Sequence, residues 1–338
     1  MIIRKNISLK TYNTFGIDVN AKEFITLSSS EELLYLVDKG IFRDRKFLIL
    51  GGGSNILFAN DIDGLVIRNE IGGIALSGIG DEVIVKAGAG IVWNDLVWYC
   101  IERNLGGIEN LSLIPGSVGA GPIQNIGAYG VELKDSFAGL EAVEVENGTT
   151  RSFNQEECRF AYRDSIFKNE LKGKYVIISV SMALNKGAAP DISYGAIREE
   201  LDAMGVKGDP GIRDVGLAVN AIRRKKLPDP EITGNAGSFF KNPVIPQGKY
   251  DALMGQFPEM PSYEAGPAMR KIPAGWLIER CGWKGRRVGN AGVHDRQALV
   301  LVNHGGATGT DILTLANDIR DSVGEKFGIL LEMEVNVI

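Results

Sequence analysis

Two glycine-rich tracts restrict the possible folds of this chain most strongly. The first tract, residues 51–55 (GGGSN), comes directly after the short apolar segment 46–50 (KFLIL), which predicts a buried strand. Three consecutive glycines leave backbone N–H groups unscreened, and Ser54 and Asn55 add short polar side chains. Such a loop after a strand suits a diphosphate, because its amides form a nest for an anion. A tight strand–loop corner without a ligand would explain the same glycines.

The second tract, residues 114–130 (IPGSVGAGPIQNIGAYG), is too rich in Gly and Pro for regular structure. Its small residues are followed by two side-chain amides and an aromatic ring. A buried Gly/Pro connection would account for the glycines but not for the amides. Together the tracts predict a large, flat, phosphorylated ligand, and a dinucleotide such as FAD meets that description. The expected cofactor contacts are Gly51, Gly52, Gly53, Ser54, Asn55, Pro115, Gly116, Ser117, Gly119, Gln124, Asn125 and Tyr129.

Other signatures of nucleotide binding are absent from the sequence. No glycines are spaced at i, i+2 and i+5, so there is no Rossmann fingerprint, and no GxxxxGK[ST] phosphate loop is present. A dinucleotide would therefore be held by another fold. The first tract contains neither Cys nor His, which argues against a covalently attached flavin there.

The composition excludes further classes of protein. A net charge of -5 argues against a nucleic-acid binder, which needs a basic surface. The N-terminal segment has no apolar core of a secretory signal, and no apolar run is long enough to cross a bilayer. The three cysteines and two histidines show no metal-site spacing. The cysteines are widely spaced and odd in number, which indicates a reducing compartment. We therefore expect a cytoplasmic protein without a metal, a nucleic-acid partner or a membrane partner.

Hydrophobic patterns predict an α+β chain, because strands and helices are mixed without strict alternation. Serines at 28–30 before EELLYLVDK predict an N-capped amphipathic helix. Residues 228–270, with many Pro and Gly, predict a loop-rich α+β segment. Helices are expected at 31–39, 91–104, 194–204, 214–224, 274–281 and 311–327, and strands at 46–50, 65–67, 83–87, 140–146, 175–184, 299–302 and 330–338.

Over nearly its full length the chain resembles the UDP-N-acetylenolpyruvoylglucosamine reductase family, MurB. The tracts 114–130 and 234–243, in this order, are highly specific for that resemblance. Ser117 and Gly121 stand where many relatives have Thr and Ala, which are mild changes in a loop of small residues. The matching segments are 13–16 (NTFG), 51–55, 114–130, 162–165 (YRDS), 226–230 (KLPDP), 234–243 (GNAGSFFKNP), 274–280 (AGWLIER) and 331–335 (LEMEV).

The resemblance implies a vanillyl-alcohol-oxidase/PCMH-type FAD-binding fold in two subdomains, with noncovalent FAD, and a separate α+β substrate-binding domain. The implied boundaries are 1–65 for the first FAD subdomain, completed by a C-terminal strand at 328–338, then 66–227 for the second and 228–327 for the substrate domain. The implied reaction is the NADPH-dependent reduction of UDP-N-acetylglucosamine enolpyruvate to UDP-N-acetylmuramate, in peptidoglycan precursor synthesis. Hydride reaches the enolpyruvyl C3, and C2 is then protonated. A monomer is expected.

Three residues match the catalytic positions of the family. Arg163 offers a planar fork for the substrate carboxylate, where negative charge develops. Ser238 matches the proton donor, and Glu334 matches the residue that assists the enolate or the proton transfer. Without the resemblance, these would be interpreted as a surface ion pair, a loop hydroxyl and a solvent-facing strand residue.

Six further residues match family positions that contact the nucleotide sugar or NADPH. Tyr194 is the mark of the family branch with a lid loop over the substrate. Lys226 ends the basic run 223–226 at a helix end, where an ammonium suits a diphosphate. The other basic residues of that run are expected to form a solvated helix face. The six are Tyr194, Lys226, Asn242, Tyr263, Lys284 and Gln297.

Three alternatives to a reductase follow from the sequence. An oxidase of the same flavin fold would share the glycine tracts but not the segment 234–243. A non-catalytic module that binds a UDP-sugar or a flavin would leave Arg163, Ser238 and Glu334 without a joint purpose. A sugar-nucleotide transferase is the weakest of the three. Fold alone would not separate these alternatives.

Overall fold

The structure is a computed structural model that describes residues 2–43 and 45–338. The helices of these residues are α1 (Ser30–Asp38), α2 (Trp93–Ile101), α3 (Gln155–Cys158), α4 (Gly195–Ala203), α5 (Ile212–Lys226), α6 (Gln247–Met254), α7 (Ala274–Arg280) and α8 (Gly309–Phe327). Short 3₁₀ helices cover Lys10–Tyr12, Glu109–Leu111, Val118–Ile123, Leu133–Asp135 and Ile166–Lys168.

Short and long strands alternate with these helices in no regular order. They are β1 (Arg4–Ser8), β2 (Asn20–Leu27), β3 (Phe47–Leu50), β4 (Ile56–Leu57), β5 (Ile62–Asn69), β6 (Ile74–Ile79), β7 (Glu82–Gly88), β8 (Leu105–Gly106), β9 (Gly127–Ala128), β10 (Val131–Glu132), β11 (Phe137–Glu144), β12 (Thr150–Phe153), β13 (Tyr175–Lys186), β14 (Gly234–Ser238), β15 (Val244–Pro246), β16 (Tyr263–Glu264), β17 (Met269–Lys271), β18 (Arg287–Val288), β19 (Ala291–Val293), β20 (Val300–Asn303) and β21 (Asn336–Val337).

The chain divides into two compact units. The first is formed mainly by Asn20–Gly53 and Ile62–Lys225, and the second by Lys226–Ile338 together with Ser8–Val19 and Ser54–Asp61. The segment 328–338 falls in the second unit together with Ser54–Asp61, which the sequence assigned to the same subdomain. The three-part division expected from the sequence stays a prediction.

The first unit is built on two sheets. In the smaller sheet, of order β1-β2-β5-β3, the strands β2, β5 and β3 are parallel. In the larger sheet, of order β12-β11-β13-β7-β6, all neighbours are antiparallel, and β8 adds to β13. One buried core joins apolar residues of β2 and β5 to those of β11, β13 and α1. The Ser29 side chain caps α1 by accepting from the backbone N of Glu32, as the serine run predicts.

The second unit is smaller and largely antiparallel. Its main sheet has the order β14-β20-β19-β18, a three-stranded sheet has the order β15-β17-β16, and β21 pairs with β4 in parallel. The helix α8 begins at a capping box formed by Thr308 and Asp311 and ends at Phe327, followed by the capping residue Gly328, whose φ is +62°. Its buried residues recur at helical spacing, which packs one face into the unit's interior.

The structure corrects several expectations about secondary structure. The final strand is much shorter than 330–338, because β21 covers only Asn336–Val337 and Met333 forms an isolated bridge with Phe240. The tract 114–130 is less irregular than expected, since it contains a 3₁₀ helix and the strand β9. The strands β2 and β6 were not predicted. No helix of the described residues has the length and apolarity needed to span a bilayer.

Candidate active site

Within the first unit, the glycines of the first tract (Gly51–Gly53) lie against the second tract. A Cβ atom on Gly52 would stand 2.6 Å from the Cα atom of Gly116, and one on Gly51 would stand 2.3 Å from Oγ of Ser117. Neither distance is sterically possible without a shift, so only glycine allows this close approach. Gly53 has a φ of +64°, which also favours glycine. The glycines that the sequence assigns to a ligand are therefore also required by the contact between the tracts.

The second tract is fixed by backbone hydrogen bonds to the segment after β7. The backbone N of Gly119 donates to Ala89 at 2.8 Å, and the backbone N of Trp93 donates to the carbonyl of Gly116 at 2.9 Å. A Cβ on Gly119 would lie 2.6 Å from the Cβ of Ala89. Gly119 thus has a packing role, and Ser117, with 7% of its surface exposed, presents its hydroxyl towards Gly51.

Arg68 places a positive charge beside the first tract. It lies near the end of β5, and its guanidinium donates to the carbonyl of Gly51. A cation, the Ser117 hydroxyl and loops free of side-chain bulk fit the diphosphate of a dinucleotide. Sequence reasoning missed Arg68, although a charged residue inside the apolar segment 65–69 (LVIRN) is a usable signal.

The predicted catalytic residue Arg163 lies in a tight turn of the first unit. Ala161 and Asp164 exchange backbone hydrogen bonds of 3.1 and 3.2 Å, which leaves Tyr162 and Arg163 at the tip. Arg163 has a φ of +54°, and its Nη2 donates to the carbonyl of Gly127 at 2.7 Å. The guanidinium is thereby directed to the second glycine tract.

The remaining residues of the YRDS motif stabilise this turn. Oγ of Ser165 donates to the carbonyl of Ile123 at 2.7 Å and accepts from the backbone N of Phe167 at 3.2 Å. Oδ1 of Asp164 accepts from Nδ2 of Asn169 at 2.9 Å. The motif is therefore a unit in which the Ser and Asp hold the backbone that presents the arginine.

Asn125 and Tyr129, both predicted cofactor residues, have side chains that contact other protein groups. The Asn125 side chain is fully buried and bonds three separate protein groups. The Tyr129 ring meets the Tyr194 ring edge to face, with centroids 5.3 Å apart. Burial raises the pKa of Tyr129, and the nearby Arg223 guanidinium partly offsets that rise. Their contacts to a cofactor stay predictions.

Arg223 corrects the expectation of a solvated helix face. It is half-buried, and its Nε donates to the carbonyl of Leu113 at 3.2 Å. Burial lowers the pKa of Arg223, a hydrogen bond with Tyr129 opposes that effect, and the positive charge of Arg163 adds to it. Arg224 and Lys225 are exposed as expected, and Lys225 pairs with Glu200 at 2.7 Å. Helical periodicity alone gave no signal for a partner that lies 110 residues away in the chain.

Ser238 ends β14 in the second unit. The ladder between β14 and β20 is irregular between Asn235 and Ser238, and Gly237 within that irregularity has a φ of +68°. Oδ1 of Asn235 accepts from the backbone N of Gly237 at 3.0 Å. A bulge of this kind redirects the side chains that follow it, so the glycine and asparagine of GNAGSFF set the direction of Ser238.

Glu334 lies next to Ser238 along paired backbones of the second unit. Its backbone N donates at 2.8 Å to the carbonyl of Phe239, the residue after Ser238. Asn55 belongs to the same neighbourhood, since its Nδ2 donates to the carbonyl of Glu334 at 3.3 Å. The carbonyl of Asn55 accepts in turn from Asn336 at 3.0 Å. The structure thus joins, through backbone contacts, the segments that carry Ser238, Glu334 and Asn55.

The NTFG motif (residues 13–16) packs against the segment that contains Ser238. The Phe15 and Phe239 rings pack edge to face with centroids 6.3 Å apart, and the carbonyl of Phe15 accepts from Nδ2 of Asn303 at 2.9 Å. A Cβ on Gly234 would stand 2.2 Å from that carbonyl, so this position requires glycine. The motif therefore has a structural explanation that the sequence did not provide.

The predicted substrate contacts are distributed between the two units. Tyr194 lies at the N-cap position of α4 in the first unit with 43% of its surface exposed. Lys226 is the last residue of α5 and belongs to the second unit. In the second unit Asn242 and Gln297 approach the start of α7. Oδ1 of Asn242 accepts from the backbone N of Ala274 at 2.9 Å, and a Cβ on Gly275 would lie 3.1 Å from Oε1 of Gln297.

Tyr263 and Lys284 complete the set and also lie in the second unit. The Tyr263 side chain lies on β16 with 61% of its surface exposed. Nζ of Lys284 pairs with the carboxylate of Glu279 at 3.1 Å. Within residues 2–43 and 45–338, no group of three or more His, Cys, Asp and Glu side chains is placed to hold a metal ion.

Comparisons with known proteins account for both halves of the chain. Residues 21–154 match a profile described as "FAD binding domain", and residues 229–338 match "UDP-N-acetylenolpyruvoylglucosamine reductase, C-terminal domain". A UDP-N-acetylenolpyruvoylglucosamine reductase of Flavobacterium johnsoniae is 48% identical over 340 residues and covers 100% of both chains. One from Bacteroides fragilis is 45% identical and covers 99% of this chain and 100% of its own.

The chain belongs to the UDP-N-acetylenolpyruvoylglucosamine reductase family. A crystal structure of a reductase of this family from Thermus caldophilus has the same fold, with a TM-score of 0.70, 26% identity and 99% of each chain covered. The α+β class and the vanillyl-alcohol-oxidase/PCMH-type FAD-binding fold expected from the sequence are confirmed. The assignment to the reductase family is confirmed as well, whereas its Tyr-loop branch stays a prediction.

Proposed function

We propose that this chain reduces the enolpyruvyl ether of UDP-N-acetylglucosamine enolpyruvate to UDP-N-acetylmuramate, with NADPH as the electron donor. The observation that carries the proposal is the full-length similarity, at 48% identity, to a UDP-N-acetylenolpyruvoylglucosamine reductase. Bound FAD would accept hydride from NADPH and supply it to C3 of the enolpyruvyl group. A role in peptidoglycan precursor synthesis follows from the product.

The cofactor would be held by the two glycine tracts. The contact of Gly51 and Gly52 with Gly116 and Ser117 builds a surface without side-chain bulk, and Arg68 adds a positive charge at its edge. Backbone amides of such a surface bind phosphate oxygens. The proposed contacts are the residues expected from the sequence, with Asn125 contributing only its backbone because its buried side chain bonds three protein groups. FAD would be held noncovalently, because the first tract has no Cys or His.

Arg163 would bind the substrate carboxylate. Negative charge moves towards that carboxylate when hydride adds to C3, so a fixed guanidinium stabilises the transition state more than the ground state. The turn at Ala161–Asp164 and the bond to Gly127 support this role, because they restrict the arginine before the substrate arrives.

Ser238 would protonate C2, with Glu334 assisting the developing enolate or the proton transfer. A serine hydroxyl is a weak acid, so it needs an environment that stabilises the alkoxide or returns a proton. The backbone N of Glu334 donates to the carbonyl of Phe239, the residue after Ser238. This contact between neighbouring backbones supports a shared role for Ser238 and Glu334. Substrate contacts are proposed for Tyr194, Lys226, Asn242, Tyr263, Lys284 and Gln297.

We propose that the protein is a cytoplasmic monomer. Cys100, Cys158 and Cys281 are free cysteines, and a reducing compartment would keep them in that state. Burial raises the pKa of Cys100 and of Cys158 to about 12, so both thiols stay protonated and unreactive.

Two measurements test the function. The purified protein should be yellow, and acid denaturation should release all its flavin into the supernatant. Under anaerobic conditions NADPH should bleach the flavin, and the enolpyruvyl substrate should restore the colour. Colour that returns with oxygen but not with this substrate would favour the oxidase alternative. A colourless protein that takes up no added FAD would contradict the proposal.

A further inference from the structure

The buried side chain of Asn125 connects the second glycine tract to the turn that presents Arg163. Its Nδ2 donates to the carbonyl of Ala161 at 3.2 Å and to Oε2 of Glu132 at 3.1 Å. Its Oδ1 accepts from the backbone N of Lys134 at 3.1 Å. The side chain is 0% exposed, so these bonds form away from water, where an unmet donor costs the most.

In the turn, Asn125 bonds Ala161, which is also the residue that closes the turn around Arg163. The carbonyl of Ala161 also accepts from the backbone N of Asp164 at 3.2 Å, and this bond forms the turn around Arg163. Oγ of Ser165 adds a second connection to the tract through the carbonyl of Ile123. The tract and the turn are therefore joined on both sides of Arg163.

A purely conformational role would explain only part of these observations. Asn125 has a φ of +45°, a left-handed conformation that Asn tolerates better than most residues. Glycine would meet that requirement at least as well. Glycine, however, has no side chain that could donate a hydrogen bond to the carbonyl of Ala161. The side chain and the backbone therefore answer two separate requirements.

We infer that Asn125 is a positioning residue for Arg163, and that its side chain serves the substrate carboxylate through that arginine rather than the cofactor. The inference rests on the proposed function of Arg163. A guanidinium binds a carboxylate through two parallel bonds, which demand a defined position and plane. Displacement of a reacting group's partner by about 1 Å can slow a reaction about 10²-fold.

Asn125→Gly tests the inference, because it keeps the left-handed backbone and removes the bonds. We expect reoxidation of the reduced flavin by the enolpyruvyl substrate to slow by about 10–10²-fold, while reduction by NADPH stays near its normal rate. Asn125→Asp keeps an acceptor for Lys134 but has no donor for Ala161, so the same loss is expected. Asn104→Gly is the matched control, since Asn104 has a φ of +57° and is exposed.

Ligand binding provides a readout other than activity. UDP-N-acetylmuramate carries the carboxylate, and UDP-N-acetylglucosamine lacks it. Calorimetry should show that Asn125→Gly weakens binding of the first nucleotide sugar and leaves binding of the second unchanged. Equal weakening of both would indicate a general structural defect and overturn the inference.

A double variant separates this inference from the function on which it rests. If Asn125 acts through Arg163, adding Asn125→Gly to Arg163→Gly should slow the substrate half-reaction no further. Effects that multiply in the double variant, or a normal rate in both Asn125 variants, would overturn the positioning role. A normal substrate half-reaction in Arg163→Gly alone would instead overturn the proposed role of Arg163.

Discussion

At the scale of single residues, Arg163 adopts a backbone conformation that is unfavourable for its type. Its φ of +54° lies in the left-handed region, which costs about 1–2 kcal/mol for a residue with a Cβ. Hydrogen bonds around the turn hold it there, including the bond from Nζ of Lys168 to the carbonyl of Arg163 at 3.4 Å. Strain that is maintained by surrounding bonds often marks a functional position.

Arg163→Gly should therefore remove the guanidinium without straining the backbone. We expect the half-reaction with NADPH to stay near normal and the half-reaction with the enolpyruvyl substrate to slow by about 10²–10³-fold, as for loss of one group that stabilises a developing anion. Stopped-flow absorbance of the flavin separates the two steps. Arg159→Gly is the matched control, because Arg159 also has a positive φ of +47° and pairs with Glu170 at the surface. If both half-reactions slow equally in Arg163→Gly, Arg163 has a structural role only.

Ser238→Ala should affect only the protonation of C2. A positioned acid contributes about 10²–10⁴-fold to a rate, so turnover should fall by at least that order while FAD binding and reduction by NADPH persist. Ser238→Cys retains an acidic proton and should recover part of the rate. The measurement is single-turnover reoxidation of the reduced flavin at saturating substrate. A near-normal rate in the alanine variant would remove Ser238 from the mechanism.

At the scale of elements, the close approach of the two glycine tracts allows cofactor binding to be tested by a steric substitution. Gly52→Ala places a Cβ 2.6 Å from backbone of Gly116, and relief of such overpacking typically costs about 1–3 kcal/mol. If the displaced tract binds FAD, affinity should fall about tenfold or more, since 1.4 kcal/mol corresponds to a factor of ten. Flavin fluorescence titration measures this. Gly72→Ala is the control, because nothing lies within 4 Å of its added Cβ. Equal affinity in both variants would place the cofactor elsewhere.

The C-terminal segment carries both buried apolar residues and Glu334. Ile329, Leu331 and Val335 are each at least 95% buried, so their loss would remove about 1.5–3 kcal/mol apiece. Truncation after Gly328 should therefore lower the midpoint of unfolding strongly, since whole domains are stable by only about 5–15 kcal/mol. Glu334→Gln keeps the backbone pairing and should unfold normally while losing activity. Thermal unfolding followed by circular dichroism distinguishes the two variants. Normal activity in Glu334→Gln would exclude the carboxylate from the mechanism.

At the scale of the whole molecule, the sequence predicts elements with local signals and misses those set by distant partners. The capped helix α1 is predicted from its serines, because capping is a contact between near neighbours. The segment 330–338 is not one strand, because it pairs first with residues after Ser238 and then with β4. Arg223 was misinterpreted for the same reason, since its burial depends on the distant Leu113.

The candidate site follows the same division between near and distant contacts. Composition and spacing predict the two ligand-binding tracts, because glycines and amides cluster within short segments. The roles of Arg163, Ser238 and Glu334 came only from the family resemblance, since nothing in their local sequence distinguishes them from ordinary surface residues. The contacts of the Asn125 side chain could not be predicted from the sequence either, because its three bonding partners lie 7 to 36 positions away along the chain.

FAD should stabilise the folded protein by mass action, independently of any turnover. A ligand that binds only the native state adds RT ln(1 + [L]/Kd) to the free energy of unfolding, or about 2.7 kcal/mol at a hundredfold excess over Kd. The melting temperature of flavin-free protein should therefore rise steadily with the logarithm of the FAD concentration. Riboflavin, which lacks the diphosphate and the adenosine, should give a much smaller rise, because the glycine tracts contact the phosphates in our proposal. Differential scanning calorimetry at several concentrations of each compound makes the comparison. Equal stabilisation by riboflavin and FAD would mean that the tracts at 51–53 and 115–119 do not bind the diphosphate, even if the protein is a flavoenzyme.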